Sequence, residues 1–89
     1  MHNDWVKLVP KIVDGVTPLT CPVCKNHTVE FAYIGHKKTR IGYLQIWCLT
    51  CNKGIHISRV EAPETVKMID FDDIKTIIET IPNYTLITK

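Results

Sequence analysis

The amino-acid sequence predicts a small α+β domain in which a three-stranded antiparallel sheet carries a helical segment at each end. Three observations support this. Three β-rich runs lie between residues 28 and 60, separated by polar turns. Apolar residues recur at helical spacing before and after that block. Four cysteines, the full complement of the chain, stand in two equally spaced pairs, Cys21-Pro22-Val23-Cys24 and Cys48-Leu49-Thr50-Cys51. Eighty-nine residues form one domain near the lower end of self-sufficient sizes, where the core alone gives little net stability and a staple is often needed. The sulfurs supply that staple. The expected organisation is a single domain over 1–89, with an N-terminal helical segment over 1–18, a metal-stapled sheet over 19–60, and a C-terminal helix and tail over 61–89.

The N-terminal segment starts with Asn3 or Asp4 as helix cap. Trp5, Leu8, Val9, Ile12 and Val13 then fall on one apolar face. Pro10 lies inside this run and lacks a backbone donor, so the helix is expected to kink or break there. Asp14-Gly15 reads as its exit, and Thr17-Pro18 as the approach to the first cysteine pair.

The sheet follows. From Thr28 to Ile34, Val29, Phe31 and Tyr33 share one face, and Thr28 and Glu30 share the other. Gly35-His36-Lys37-Lys38-Thr39 is a polar turn. Arg40 to Trp47 forms the returning strand, with Ile41, Tyr43 and Trp47 on one face and Leu44 and Ile46 on the other. Both faces are apolar, so this strand is expected to be central and covered on both sides. Gly54 is expected to end the second cysteine turn at positive φ. Ile55 to Val60, rich in β-branched residues, is the third strand.

Ala62-Pro63 marks a boundary, and Val66 to Ile69 fits helix and strand equally. Asp70 is expected to cap a helix, with Asp72 and Asp73 favouring its positive end and Phe71, Ile74, Ile77, Ile78 and Ile81 forming a buried stripe. Pro82-Asn83 ends it. Tyr84 to Thr88 has the composition of an edge strand.

A Cys-x-x-Cys spacing lets two thiolates converge from one tight turn. Two such turns give the four sulfurs that Zn²⁺ takes in closed structural sites, so Cys21, Cys24, Cys48 and Cys51 are the expected ligands of one structural Zn²⁺. The 23 residues between Cys24 and Cys48 accommodate a long hairpin. Two disulfides would require an oxidising compartment. His27 and His56 are the other potential ligands, but four cysteines already complete the set. Lys25 and Lys53, beside the two turns, can offset the local charge of a metal held by four thiolates, and backbone amides within the turns can donate to the sulfurs.

The succession of cysteine knuckle, hairpin, knuckle and strand resembles the zinc ribbon group. The resemblance is carried by Cys21-Pro22-Val23-Cys24-Lys25 and Cys48-Leu49-Thr50-Cys51-Asn52-Lys53-Gly54 and covers residues 19–60, about half of the chain. It implies two knuckles meeting at one end of a three-stranded antiparallel sheet. It implies no particular function, since ribbons serve in transcription factors, ribosomal proteins, topoisomerases, enzyme appendages and small bacterial proteins.

A closed four-thiolate site leaves no position for a zinc-bound water, which disfavours zinc hydrolysis. There is no Gly-rich phosphate loop and no HExxH pattern. The single serine, Ser58, gives a serine nucleophile little to build on. Asp72 and Asp73 read as helix-end charges. The expected role is therefore a non-catalytic binding or accessory module without a small-molecule substrate, with a protein as the favoured partner.

Nucleic acid is the alternative partner. Lys37, Lys38 and Arg40 gather at the hairpin tip, beside Tyr33, Tyr43 and Trp47 on the adjoining strands. Against it, the sequence pI is only 8.4, below that of a dedicated nucleic-acid domain. Charge is also divided along the chain. Residues 1–60 hold eight basic and three acidic side chains, net +5; residues 61–89 hold three basic and six acidic, net −3.

A reading from another class is a rubredoxin-like iron electron carrier, because four-thiolate sites also take iron. Lys25 and Asn52 stand where such proteins usually show a glycine directly after a knuckle. A third is a thiol redox switch. The first residues carry no basic region followed by an apolar one, and no apolar run is long enough to span a membrane. A cytoplasmic location, where thiols stay reduced, is the expectation.

Overall fold

The computed structural model describes residues 2–64 and 66–87. Its elements in chain order are α1 (His2–Val6), α2 (Leu8–Val13), β1 (Val29–His36), β2 (Ile41–Cys48), β3 (Lys53–Glu61), β4 (Met68–Asp70), α3 (Ile74–Thr80) and β5 (Thr85–Leu86).

The sheet has five strands in the order β4-β1-β2-β3-β5, and so is not the expected three-stranded antiparallel sheet. β1, β2 and β3 form an antiparallel meander. β4 is added parallel to β1, pairing Tyr33 with Met68, and β5 parallel to β3, pairing Gly54 with Leu86. The ambiguous segment around Val66–Ile69 thus resolves into an outer strand, and the edge strand expected after Tyr84 is present but only two residues long. Thr88 lies outside the described residues.

β2 is central and covered on both faces, as its two apolar faces require. On one face, Val29, Tyr33, Leu44, Ile46 and Ile55 pack with Trp5, Leu8 and Ile12 of the N-terminal helices. Trp5 is fully buried. On the other face, Ala32, Ile34 and Trp47 pack with Ile77, Ile81 and Tyr84. The two ends of the chain therefore cover opposite faces of the same sheet.

The N-terminal helix breaks at Lys7, three residues before Pro10. A proline ring clashes with the carbonyl four residues earlier and leaves it without its amide partner, here that of Val6. Pro10 itself sits in the first turn of α2, where its missing N–H would have had no partner in that turn.

The third helix begins later than expected. Asp70 ends β4, and its carboxylate accepts from the Asp72 amide at 3.0 Å. Asp73 is the N-cap, accepting from the Thr76 amide at 3.3 Å. The expected buried stripe is only half buried: Ile77 and Ile81 pack inward, whereas Phe71, Ile74 and Ile78 are exposed. A single short helix lying across one sheet face can bury only one side.

Gly54 also departs from expectation. It lies within β3, and the left-handed residue after the second knuckle is Asn52, at φ 57°. The glycine is required by close approach. A Cβ there would stand 2.2 Å from the Ile46 carbonyl oxygen and 2.9 Å from the Tyr84 ring.

Candidate metal centre

The two knuckles form at the same end of the meander. The first precedes β1, and the second joins β2 to β3. Antiparallel register places Val29 opposite Cys48, so the start of β1 lies against the second knuckle. The knuckles share one backbone design. Lys25 donates its amide to the Cys21 carbonyl at 3.0 Å, and Asn52 donates to the Cys48 carbonyl at 3.0 Å. Both residues are left-handed, at φ 65° and 57°. Asparagine tolerates that region well and lysine less so. Both positions thus take the backbone conformation that glycine favours, with lysine and asparagine in its place.

These turns bring four sulfurs together. The Cys21 and Cys51 Sγ atoms are 3.6 Å apart and those of Cys24 and Cys48 are 3.5 Å apart. All four ligand atoms lie within 4.8 Å of one another. A tetrahedral ion with Zn–S bonds of about 2.3 Å has sulfur–sulfur edges of roughly 3.8 Å, so the cluster has the dimensions of a four-thiolate metal site. The cysteines are free thiols; a disulfide would place two sulfurs about 2.05 Å apart. Cys21 and Cys48 are buried, while Cys24 and Cys51 are half-buried.

Hydrogen bonds differentiate the sulfurs. The amides of Val23 and Cys24 donate to Cys21 Sγ at 3.3 and 3.5 Å, though burial still raises the Cys21 thiol above its usual range. The Asn26 backbone amide and side chain lower that of Cys24. At Cys48 burial opposes ionisation, but the Thr28 hydroxyl and the amides of Cys51 and Thr50 outweigh it and bring the thiol down to about 6. Burial and the adjacent Cys21 sulfur push Cys51 up to about 12. A metal ion must displace the proton from each thiol that it binds, so an electropositive ion is the natural counterweight to this crowding.

Thr28 is the site residue that sequence reasoning missed. Its hydroxyl lies 3.3 Å from Cys48 Sγ and 2.7 Å from Thr50 Oγ1, and its carbonyl accepts from the Leu49 amide at 2.9 Å. The signal available was its place directly before a strand that must begin beside the second knuckle.

The remaining candidates are dispersed. His27 is exposed and pairs with Thr20 Oγ1 at 3.0 Å. His56 lies exposed on the sheet against the Tyr43 ring, 4.8 Å away between centroids. Lys25 is exposed and Lys53 half-buried. At the hairpin tip Lys37 and Lys38 are exposed, but Arg40 turns inward and donates to the carbonyls of Pro63 and Val66. Tyr33 and Trp47 are buried on opposite faces of the sheet, so the aromatics do not form one stacking platform.

No helix among the described residues is long and apolar enough to cross a membrane. Comparison with known proteins finds no family model, no curated protein and no solved structure that matches this chain.

Proposed function

We propose that this protein is a non-catalytic zinc module of the ribbon type, in which Cys21, Cys24, Cys48 and Cys51 hold one structural Zn²⁺ and the surrounding surface binds another protein. The observation that carries this reading is the convergence of two matching knuckles on one point, with sulfur spacings near the edges of a zinc tetrahedron. Four thiolates saturate the ion and leave it no position for substrate.

A protein partner is favoured over nucleic acid because Arg40, one of three cations expected at the hairpin tip, is committed to Pro63 and Val66 within the fold. Native mass spectrometry of protein purified without added metal tests the ion; one zinc per chain is expected. A red protein with iron absorption would replace zinc with the electron-carrier reading. Gel shifts at low salt with mixed DNA and RNA test the partner class, and a salt-sensitive shift would favour nucleic acid.

A further inference from the structure

The four sulfurs differ in access. Cys21 and Cys48, the first residue of each knuckle, are fully buried; Cys24 and Cys51, the last, are half-buried. Two sulfur contacts run between the knuckles. Cys24 Sγ lies 3.5 Å from Cys48 Sγ, and Cys51 Sγ lies 3.6 Å from Cys21 Sγ. Each contact therefore joins a sulfur that solvent reaches to one that it does not. This geometry suits stepwise oxidation, in which an accessible thiolate meets the oxidant and a shielded neighbour resolves the product. Disulfide sulfurs are about 2.05 Å apart, so each pair has to close by about 1.5 Å. The backbone bonds that close the turns, from Lys25 to Cys21 and from Asn52 to Cys48, involve none of the sulfurs.

Bridges in this crossed pattern would hold the same end of the sheet that the ion holds. Cys24–Cys48 and Cys21–Cys51 span 24 and 30 residues, and each joins one knuckle to the other. A bridge within a knuckle would span three residues and leave the two turns unlinked. The longer loops restrict the unfolded chain far more.

We propose that this centre is a peroxide-sensitive switch, in which oxidation replaces the metal by two crossed disulfides, Cys24–Cys48 and Cys21–Cys51, and the fold is kept. This rests on the reading of the four cysteines as zinc ligands and gives them a second state. The Cys24 thiolate attacks hydrogen peroxide; the O–O bond breaks, Cys24 becomes a sulfenic acid, and hydroxide leaves. The Cys48 thiolate then attacks the Cys24 sulfur; the S–S bond forms, the S–O bond breaks, and a second hydroxide leaves. Two thiolates lose two electrons, and one peroxide takes them. Cys51 and Cys21 repeat the sequence with a second peroxide. Disulfide sulfur is no longer the thiolate that a zinc site requires, so the oxidised chain cannot retain the ion. Four thiolates around a dication carry a double negative charge, and two disulfides carry none. Lys25 and Lys53, beside the two turns, then stand uncompensated, and the knuckle end of the molecule becomes more basic.

The test is graded addition of hydrogen peroxide to the zinc-loaded 89-residue chain, followed by tryptic mapping without reduction. Trypsin cuts after Lys11, Lys25, Arg40 and Lys53 but not between the cysteines of a knuckle, so the four fall in peptides 12–25 and 41–53. Crossed bridges join these peptides into one mass; bridges within a knuckle leave two. Alkylating the remaining thiols after one equivalent of peroxide identifies which cysteines pair first, expected to be Cys24 with Cys48 or Cys51 with Cys21. Two peroxides should be consumed for each zinc released to a chromogenic indicator. The oxidised, metal-free chain should keep its β-type circular dichroism, whereas the reduced, chelated chain loses it. A dithiol reductant with Zn²⁺ should restore the starting state. Peptides bridged only within themselves, zinc retained in excess peroxide, release without disulfides, or loss of the β signal on oxidation would overturn the proposal and leave the zinc reading standing. A chain that binds no zinc at the outset removes both.

Discussion

Tyr84 lies nearly parallel to Trp47, ring centroids 6.2 Å apart with an interplanar angle of 15°, and its ring passes over the bare backbone of Gly54. The pair joins the C-terminal segment to the middle of the sheet. A side chain at Gly54 would strike the Ile46 carbonyl and the Trp47 Cα as well as the Tyr84 ring. Two of these obstacles are backbone and cannot swing aside. Gly54→Ala is therefore expected to destabilise the protein by about 3 kcal/mol, the upper end for overpacking. Chemical denaturation monitored by tryptophan fluorescence measures it.

The Tyr84 hydroxyl lies 2.6 Å from Gln45 Oε1 and 3.1 Å from the Ile55 carbonyl oxygen, and shares its one proton between these two acceptors. Tyr84→Phe removes this shared donor at a half-buried site and leaves both acceptors unpaired, which should cost about 1–3 kcal/mol. The same phenol gives a pH signature. Burial pushes its pKa from 10.0 up to about 12. A pKa raised on folding contributes stability that is fully present below pH 10 and is lost as pH rises through 12. Alkaline unfolding should therefore begin above pH 10, and Tyr84→Phe should reduce its slope. Absorbance of phenolate against pH, alongside circular dichroism, checks the sign.

Thr28 places one hydroxyl between Cys48 and Thr50. Thr28→Val keeps the shape and removes the donor. Groups that orient metal ligands typically contribute 10- to 100-fold in affinity, so Zn²⁺ affinity should fall by roughly that factor, read by competition with a chromogenic chelator. An unchanged affinity would show that the hydroxyl only packs.

Metal removal should unfold the sheet end that the knuckles close. Structural zinc sites contribute on the order of 10–16 kcal/mol of apparent binding free energy, more than a domain of this size holds in reserve. Loss of β-type circular dichroism on adding a strong chelator, and its recovery with Zn²⁺, is the expected result.

Arg40 is half-buried and ties the loop after β3 to the hairpin tip through the Pro63 and Val66 carbonyls. Arg40→Ala should cost about 2 kcal/mol, since two charge-assisted bonds are lost. Lys37→Ala and Lys38→Ala, at exposed positions, should stay within about 0.5 kcal/mol of the parent. Thermal melts of the three variants separate these roles.

The central part of this fold was legible because its signals are local. The knuckle spacing named four residues that do converge, and the double apolar face of Leu44, Ile46, Tyr43 and Trp47 placed β2 in the middle of the sheet. β4 was ambiguous in the sequence, and β5 showed only as strand-like composition with no hint of its partner. They are three and two residues long, too short for periodicity, and each pairs in parallel with a strand far away in sequence. Asp70 was the expected cap, with Asp72 and Asp73 in the first turn, but the parallel pairing of Gly35 with Asp70 draws Asp70 into the sheet and leaves the cap to Asp73. Ile74 and Ile78 follow the same helical period as Ile77 and Ile81, and only the position of the helix over Ile34 and Trp47 decides which pair is covered. Thr28 acts across the sheet on a cysteine 20 positions later, a relation that no spacing rule encodes.

The arrangement of the two coverings has a consequence for synthesis. Trp5, Leu8 and Ile12 are translated before the sheet that they shield, so that side can be dried as the strands arrive. Trp47 and Ile34 wait for Ile77, Ile81 and Tyr84, which are translated after the whole β1-β2-β3 meander. A nascent chain thus carries one greasy, uncovered side of the sheet until those three residues emerge, the kind of transient surface on which growing chains stick to one another.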